Sequence, residues 1–407
     1  MVVRKIKEDE LKRTSELFCI AFEFDMDNVK SPSEVYEEAI SNPKSRWDLY
    51  WQEKWGAFDH SNNMMAFVSA QPYTVQFDDN IVKMTGIGAV STLPQYRRNG
   101  CIRKCFETAL NDMYENDFTF SYLYPFSSAY YRKFGYELCN EVIQYSINLK
   151  SIQRFPEADG QVYLVEHGSY LEDIKKVYND FAKGYNLMCK REDIDYTAIK
   201  ESNPAKDKHY IYVYKDKNGV AKGVMSFTKE KVNDHFNMQC RNFYFSDMDG
   251  FKGLMNHCLA FTAYYEHVVF KLPLDINITS YIPEWALYSY KRENYLNGMV
   301  RVVNVKKALE IAKYQGSGSL VMKISDNQIK QNDHIFEVVF VNGEATSVEV
   351  VEKPFDIAFS INDFSRLLIG THNPTELKYI DQVQINAGLD KISKVFYKKL
   401  NFIADYF

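Results

Sequence analysis

Two hydrophobic periods take turns along this chain. Val2–Ile6 alternates with a period of two and predicts a short strand. Asp9–Phe22 follows with helical spacing, Leu11, Phe18 and Phe22 on one face and Ser15 between them. Met64–Phe77 and Ile81–Leu93 are strand-like runs joined by Asp78-Asp79-Asn80, a hairpin by composition and spacing. Ile102, Cys105, Phe106, Ala109, Leu110 and Met113 then share one face of a helix expected from Arg98 to Asn116. Phe118–Tyr124 reads as a buried strand, Ser128–Phe134 as a short helix and Tyr136–Leu149 as a closing strand, which ends a first segment at residues 1–150.

Residues 151–290 repeat part of that order. Tyr210–Lys215 and Val220–Thr228 flank the hairpin turn Asn218-Gly219, and Asn237–Phe245 is a further strand. Gly250-Phe251-Lys252-Gly253 opens a helix expected through His267, and Val268–Leu272 closes the unit. We read it as a degenerate second copy that lacks the arginines of the first. In residues 291–407 a helix is expected over Val303–Tyr314, and strands over Ser319–Asp326, Ile335–Val341 and Ser347–Val351, with an Asn342-Gly343 turn between the last two. Asn362 or Asp363 is placed to cap a helix Phe364–Ile369, and Pro374 starts another short one. The tail Asn401–Phe407 is unusually apolar and aromatic.

Composition narrows the class. A chain of 407 residues, 46% hydrophobic and 25% charged, suits two to four domains with packed cores. A net charge of −5 without a long basic run argues against a nucleic-acid partner. Met1–Glu10 lacks the apolar stretch of a signal peptide, and no run approaches the roughly 20 apolar residues of a membrane span. Seven scattered cysteines without a CxxC pair argue against a disulfide framework or a zinc site, so a reducing cytoplasm and no metal are expected. The eight histidines show no ligand spacing; His257 and His267 read as packing positions and His372 as structural.

The stretch with the most chemical content is Gly86–Arg103, where a strand ends, the chain turns and a helix begins at Arg97-Arg98-Asn99-Gly100-Cys101-Ile102-Arg103. The first N–H groups of a helix are unsatisfied and carry the positive end of its dipole, a ready site for a pyrophosphate. Gly100 would let the phosphate approach, and Arg97, Arg98 and Arg103 add charge; the plainer reading is an ordinary basic helix start. Cys101 lies where a thiolate is stabilised, so an acyl-cysteine intermediate is conceivable, the simpler reading being a wall residue of the loop. Glu23, Asp25, Asp27, Glu34, Glu37 and Glu38 stand against one lysine, Lys30. They form either a solvated face or a surface that attracts cationic acceptors.

This loop resembles the acetyl-CoA motif of GNAT acetyltransferases, Arg/Gln-x-x-Gly-x-Gly/Ala, with Ile102 at the last position as a departure. Asn99-Gly100-Cys101-Ile102-Arg103 is close to the Arg-Gly-Leu-Leu-Arg of the Eis (enhanced intracellular survival) family. Tyr131-Arg132-Lys133-Phe134-Gly135-Tyr136 looks like that family's Tyr-x-x-Phe-Gly-Tyr element. Leu368-Ile369-Gly370-Thr371-His372 resembles its sterol-carrier-protein-like segment, and the chain stops, as the family does, on an aromatic pair, Tyr406-Phe407. The resemblance implies an α/β (α+β) fold with tandem GNAT-like acyltransferase domains at 1–150 and 151–290 and a sterol-carrier-protein-like domain at 291–407. It implies acetyl transfer from acetyl-CoA to amines of cationic small molecules, aminoglycoside-like or polyamine-like, by a hexamer. Val90, Ser91 and Thr92 would present strand backbone to the pantetheine arm. Arg98, Asn99, Gly100, Cys101, Ile102 and Arg103 would hold the pyrophosphate, and Phe126 and Ser127 would add a further acetyl-CoA contact. Tyr131 would be the general acid and the carboxylate of Phe407 the general base.

The chemistry agrees with those roles. An amine attacks a thioester directly, after losing a proton, and the leaving thiolate must gain one. A tyrosine titrates near about 10 and keeps its proton at neutral pH; a terminal carboxylate titrates near about 3.5, which burial raises. Two other functions stay open: an apolar-ligand-binding protein with a vestigial GNAT domain, and a protein lysine acetyltransferase. The intact Arg98–Arg103 loop argues against a vestige.

Overall fold

The hairpin expected at Asp78-Asp79-Asn80 forms with both aspartates at positive φ, 45° and 67°, a conformation their short polar side chains tolerate. In this computed structural model, which describes all residues except 27–29, 153–154, 283–288 and 380–382, the hairpin supplies the two long strands of a first sheet. That sheet holds β1 (Val2–Lys5), β2 (Lys54–Phe58), β3 (Met64–Phe77), β4 (Asn80–Thr92), β5 (Phe120–Leu123) and β6 (Glu137–Leu138). A second sheet holds β7 (Glu141–Asn148), β8 (Gln161–Leu164), β9 (His209–Lys215), β10 (Ala221–Val232), β11 (His235–Phe245), β12 (His267–Leu272) and β13 (Tyr290–Leu296). A further strand, β14 (Met299–Val302), returns to the first sheet. The orders are β1-β2-β3-β4-β5-β14-β6 and β13-β7-β12-β11-β10-β9-β8.

The sheets cross the boundaries expected at residues 150 and 290. Tyr136–Leu149, expected as one strand, breaks at Cys139-Asn140, so that β6 stays in the first sheet while β7 joins the second. Downstream, β13 lies in the second sheet and β14 in the first, with the break at Asn297-Gly298. The two breaks are hydrogen-bonded side by side: Asn297 N donates to Asn140 O at 2.6 Å and Cys139 N to Gly298 O at 3.3 Å. The first 150 residues therefore give β7 to the second sheet, and the stretch around the start of the third segment gives β13 to the second sheet and β14 to the first. Apolar residues continue through the first break, at Val142 and Ile143, and hide it from the sequence.

The two units otherwise share a plan. In the first, β3 and β4 are antiparallel, the helix Cys101–Glu115 follows, and β5 lies parallel to β4. In the second, β10 and β11 are antiparallel, the helix Met248–Leu259 follows, and β12 lies parallel to β11. Here α4 is Cys101–Glu115, preceded in the chain by α1 (Leu11–Phe22), α2 (Pro32–Ser41) and α3 (Arg46–Leu49) and followed by α5 (Ser128–Arg132). Sequence reading passed over α2, α3 and β2. Yet Ser31-Pro32-Ser33-Glu34 carries a capping box, in which Glu34 N donates to Ser31 Oγ and Ser31 N to Glu34 Oε2. The strand β2 is buried at all five positions, so it shows no alternation.

The third sheet comprises β15 (Gly318–Ser325), β16 (Ile335–Val341), β17 (Glu344–Val350), β18 (Ile357–Ser360) and β19 (Gln384–Ile385), in the order β17-β16-β15-β18-β19. The helix after β18 starts at Ile361, earlier than expected. Its cap is therefore Ser360, whose Oγ accepts from Asp363 N at 3.2 Å, not Asn362 or Asp363. The fold is mixed α/β: two GNAT-like units followed by a sterol-carrier-like one.

Candidate active site

A bulge in β4 opens the site. Ser69 pairs with Gly88 and Phe67 with Ser91, so Val68 faces both Ala89 and Val90, and Ala89 takes φ 48°. The pairing of β4 with β5 ends at Ile87–Leu123, although β4 runs on to Thr92. A gap opens between the two strands, and the β5-facing edge of β4 is left unpaired beyond Ile87.

The last residue of the chain lies across this gap. A Cβ on Gly86 would stand 2.6 Å from the Phe407 ring, and one on Gly88 would stand 3.1 Å from the terminal carboxyl carbon. Bare backbone at these two positions is what admits Phe407. Its ring also packs on Tyr73, Tyr122 and Tyr124, with centroids 5.0, 6.0 and 5.8 Å away. Upstream, the tail is laced between the first two units. Asn186 N donates to Leu400 O at 2.8 Å, Phe402 N to Asn186 O at 3.0 Å, and Ile403 N to Asn140 Oδ1 at 3.2 Å. The Asp405 carboxylate accepts from Arg191 at 2.8 Å and from the Tyr178 hydroxyl at 3.1 Å, and its carbonyl accepts from the Tyr124 hydroxyl at 2.8 Å.

On the opposite face, α4 begins later than expected, because Arg98 and Gly100 take φ 67° and 79° and turn the chain into the helix. The amides at the start of α4 precede any intrahelical acceptor. The residues that carry them border a cleft of about 1380 Å3. Val90, Thr92, Arg98, Asn99, Gly100, Cys101, Ile102, Arg103 and Phe126 all line it, with Asn327 and Gln328 of the third unit on its far wall. Among the described residues, Arg97, Arg98 and Arg103 have no carboxylate within ion-pairing distance. Ser91 is an exception to the expected lining: its side chain is buried and its hydroxyl has no partner among the described residues. Ser127, the N-cap residue of α5, also stands outside the lining.

Tyr131 lies beneath Phe126, ring centroids 5.5 Å apart, in the core that α4 makes with the sheet. Burial pushes its phenol well above the ordinary tyrosine value, so the proton stays on through the neutral range. Its hydroxyl makes no hydrogen bond among the described residues. Tyr131 and the Phe407 carboxylate thus lie on opposite faces of the sheet, either side of the gap at the end of β5. Cys101 is 3% exposed, and burial raises its thiol above the ordinary value, so the arginines nearby do not make it a thiolate.

Sequence reading missed a polar row on the Phe407 face: Lys54 pairs with Ser69, and Ser69 with Gly88. Ser69 is fully buried and accepts from Gln71 Nε2 at 3.4 Å. The signal was present as polar residues inside the otherwise apolar run Met64–Tyr73. Lys54 is fully buried, bonded to Trp47 O at 2.8 Å and set over the Trp47 ring at 4.1 Å. Burial lowers its ammonium to about 7, Asp48 offsetting part of the shift. The unfolded chain keeps that proton up to the ordinary value of 10.5, so Lys54 costs most stability below pH 7 and the cost fades as pH rises toward 10.5. The Tm change caused by Lys54→Met should therefore favour the variant more at about pH 6.5 than at about pH 9.5. Equal changes at the two pH values would mean that Lys54 keeps its proton on folding.

Part of the acidic run is structural. Glu34 completes the α2 capping box, Glu38 pairs with Lys30, and Glu23 ends α1 at φ 59°. Asp25 and Glu37 are exposed, and Asp27 lies outside the described residues. His257 packs on Tyr212, and burial lowers it to about 4. His267 opens β12, and burial lowers His372. No group of three or more metal-ligating side chains occurs among the described residues, and no helix there is long and apolar enough to cross a membrane.

Comparison with known families places an acetyltransferase (GNAT) domain at residues 2–139 and a sterol carrier protein domain at residues 305–403. Three solved structures share the fold over the whole chain. A conserved protein of Enterococcus faecalis V583, described as a probable N-acyltransferase, aligns at TM-score 0.84 and 21% identity, covering 100% of this chain and 99% of its own. A GCN5-related N-acetyltransferase of Anabaena variabilis ATCC 29413 aligns at TM-score 0.83 and 20% identity, covering 100% of each chain. Eis1 from Mycobacterium abscessus aligns at TM-score 0.78 and 15% identity, again covering 100% of each. No curated protein matches the chain. At these identities the likeness is one of fold.

Proposed function

We propose that this chain, with its GNAT acetyltransferase domain, is an N-acetyltransferase. It moves an acetyl group from acetyl-CoA directly to the amine of a cationic small molecule, aminoglycoside-like or polyamine-like. The observation that carries this reading is the set of unpaired arginines around the start of α4, in a cleft that runs to the unpaired edge of β4. A pyrophosphate at the helix start would accept from its free amides and neutralise Arg98 and Arg103. The pantetheine arm would pair with β4 at Val90, Ser91 and Thr92, where the strand lacks a partner, and pass Phe126 and Ser127. The thioester would then sit in the gap between β4 and β5.

There the two faces of the sheet divide the proton work. The Phe407 carboxylate takes the proton from the acceptor ammonium, and the amine attacks the carbonyl. The thiolate leaves toward the α4 face and receives the Tyr131 proton. No covalent enzyme intermediate is needed, which agrees with the buried thiol of Cys101.

The second unit supports an intact first one by contrast. At its corresponding helix start, Asp247 accepts from Gly250 N at 3.0 Å and pairs with Lys222, so that helix end is already filled by its own carboxylate.

Reversing charge with Arg98→Glu and Arg103→Glu should weaken acetyl-CoA binding by two orders of magnitude or more, since charge-assisted contacts contribute about 1.5–3 kcal/mol each. Calorimetry on the folded variant measures it. Unchanged affinity would place the nucleotide elsewhere. A thiol-release assay with acetyl-CoA and a panel of polyamines, aminoglycosides and lysine peptides then identifies the acceptor class.

A further inference from the structure

Gly135, in the element that carries Tyr131, has φ 83°, and a Cβ there would stand 1.8 Å from Nη1 of Arg301. The bare backbone makes room for that guanidinium. Arg301 lies on β14, the strand lent to the first sheet, and it is fully buried. Its Nη1 donates to Phe134 O at 2.5 Å and its Nη2 to the carboxylate of Asp326 in the third unit. Asp326 also accepts from the amides of Gln328 and Ile329, at 2.9 and 3.2 Å, and from Asn332 Nδ2 at 3.0 Å. Burial alone would raise its carboxyl, but Arg301 and these donors hold it below the ordinary value.

A second hold comes directly from the third unit. Asn362 Nδ2 donates to Arg132 O at 3.1 Å and to Tyr136 O at 2.9 Å. The carbonyls of Arg132, Phe134 and Tyr136, which end the α5 turn, are thus each held from outside the first 150 residues. The Tyr131 carbonyl belongs to the same turn, accepting from the amides of Phe134 at 2.9 Å and Tyr136 at 3.4 Å. A helix of five residues does not keep its own geometry; external bonds must set it.

We propose that Arg301, braced by Asp326, and Asn362 are positioning residues for Tyr131, so that the sterol-carrier-like unit is part of the transferase scaffold. The inference rests on the reading of Tyr131 as the acid. It explains why Gly135 follows the acid so closely and why a third unit is packed against the α5 turn.

The test is a set of double-mutant cycles. Asn362→Ala and Arg301→Lys are made in the full chain and again with Tyr131→Phe. A lysine at 301 keeps a charge for Asp326 but cannot also serve Phe134 O. Each single variant should lower kcat about 10- to 100-fold through misplacement of the hydroxyl, with the acetyl-CoA Kd from calorimetry nearly unchanged. In the Tyr131→Phe background the same substitutions should lower kcat little further, because the group they position is gone. Equal losses in both backgrounds, or a loss confined to acetyl-CoA affinity, would overturn the inference while leaving Tyr131 as acid. A near-normal kcat for Tyr131→Phe alone would instead remove the reading beneath it. Should Arg301→Lys not fold, Arg301→Met with Asp326→Leu removes both buried charges together and poses the same question.

Discussion

A chain lengthened by a few residues beyond Phe407 is expected to bind acetyl-CoA as the unlengthened chain does and to acetylate amines about 10²- to 10⁴-fold more slowly at neutral pH. The extension leaves the ring over Gly86 but turns the carboxylate above Gly88 into an amide, which accepts no proton from an ammonium. The arginine cleft lies on the other face of the sheet and is untouched, so binding serves as the internal control. The defect should ease as pH rises, since more acceptor arrives already deprotonated. Phe407→Leu separates carboxylate from ring: it keeps the terminal carboxylate and an apolar anchor and should retain substantial activity. A pH–rate comparison of the three proteins decides the matter. A lengthened enzyme as fast as the unlengthened one at neutral pH would mean that the carboxylate is not the base, and would turn attention to the acidic run after α1.

Tyr131→Phe is expected to lower kcat about 10²- to 10⁴-fold with little change in acetyl-CoA affinity. The ring would stay packed against Phe126 and Phe106, and only the hydroxyl, which has no hydrogen-bond partner among the described residues, would be removed. Loss of stability is therefore not the expected cause. Burial keeps the phenol protonated well above neutrality, so the rate of the natural enzyme should show no fall from tyrosine ionisation at moderately alkaline pH. A variant with near-normal kcat would mean that the thiolate takes its proton from water or from another group.

Local sequence was enough for the elements whose signal is local. The β3–β4 hairpin is written in two alternating runs and a turn of Asp and Asn. The face of α4 is written in Ile102, Cys105, Phe106, Ala109, Leu110 and Met113, all of which are buried. The arginine loop was legible because a helix start, a glycine and three cations within seven residues make one site without help from the rest of the chain. The roles of Tyr131 and Phe407 came from resemblance, since neither a buried tyrosine nor a last residue carries a pattern of its own.

What only the tertiary structure decided depends on residues far apart in the chain. The placement of β7 in the second sheet and β14 in the first left no trace in periodicity, because a strand alternates in the same way whichever sheet receives it. Gly86 and Gly88 acquire meaning only when Phe407, over 300 positions later, lies on them. Gly135 acquires it from Arg301, and Arg301 from Asp326 in a third unit. Period and turn chemistry act over a few residues and so determine elements. The placement of a carboxylate, a guanidinium or a hydroxyl to within an ångström depends on which distant backbone its neighbours leave bare, and that is settled only when the units pack.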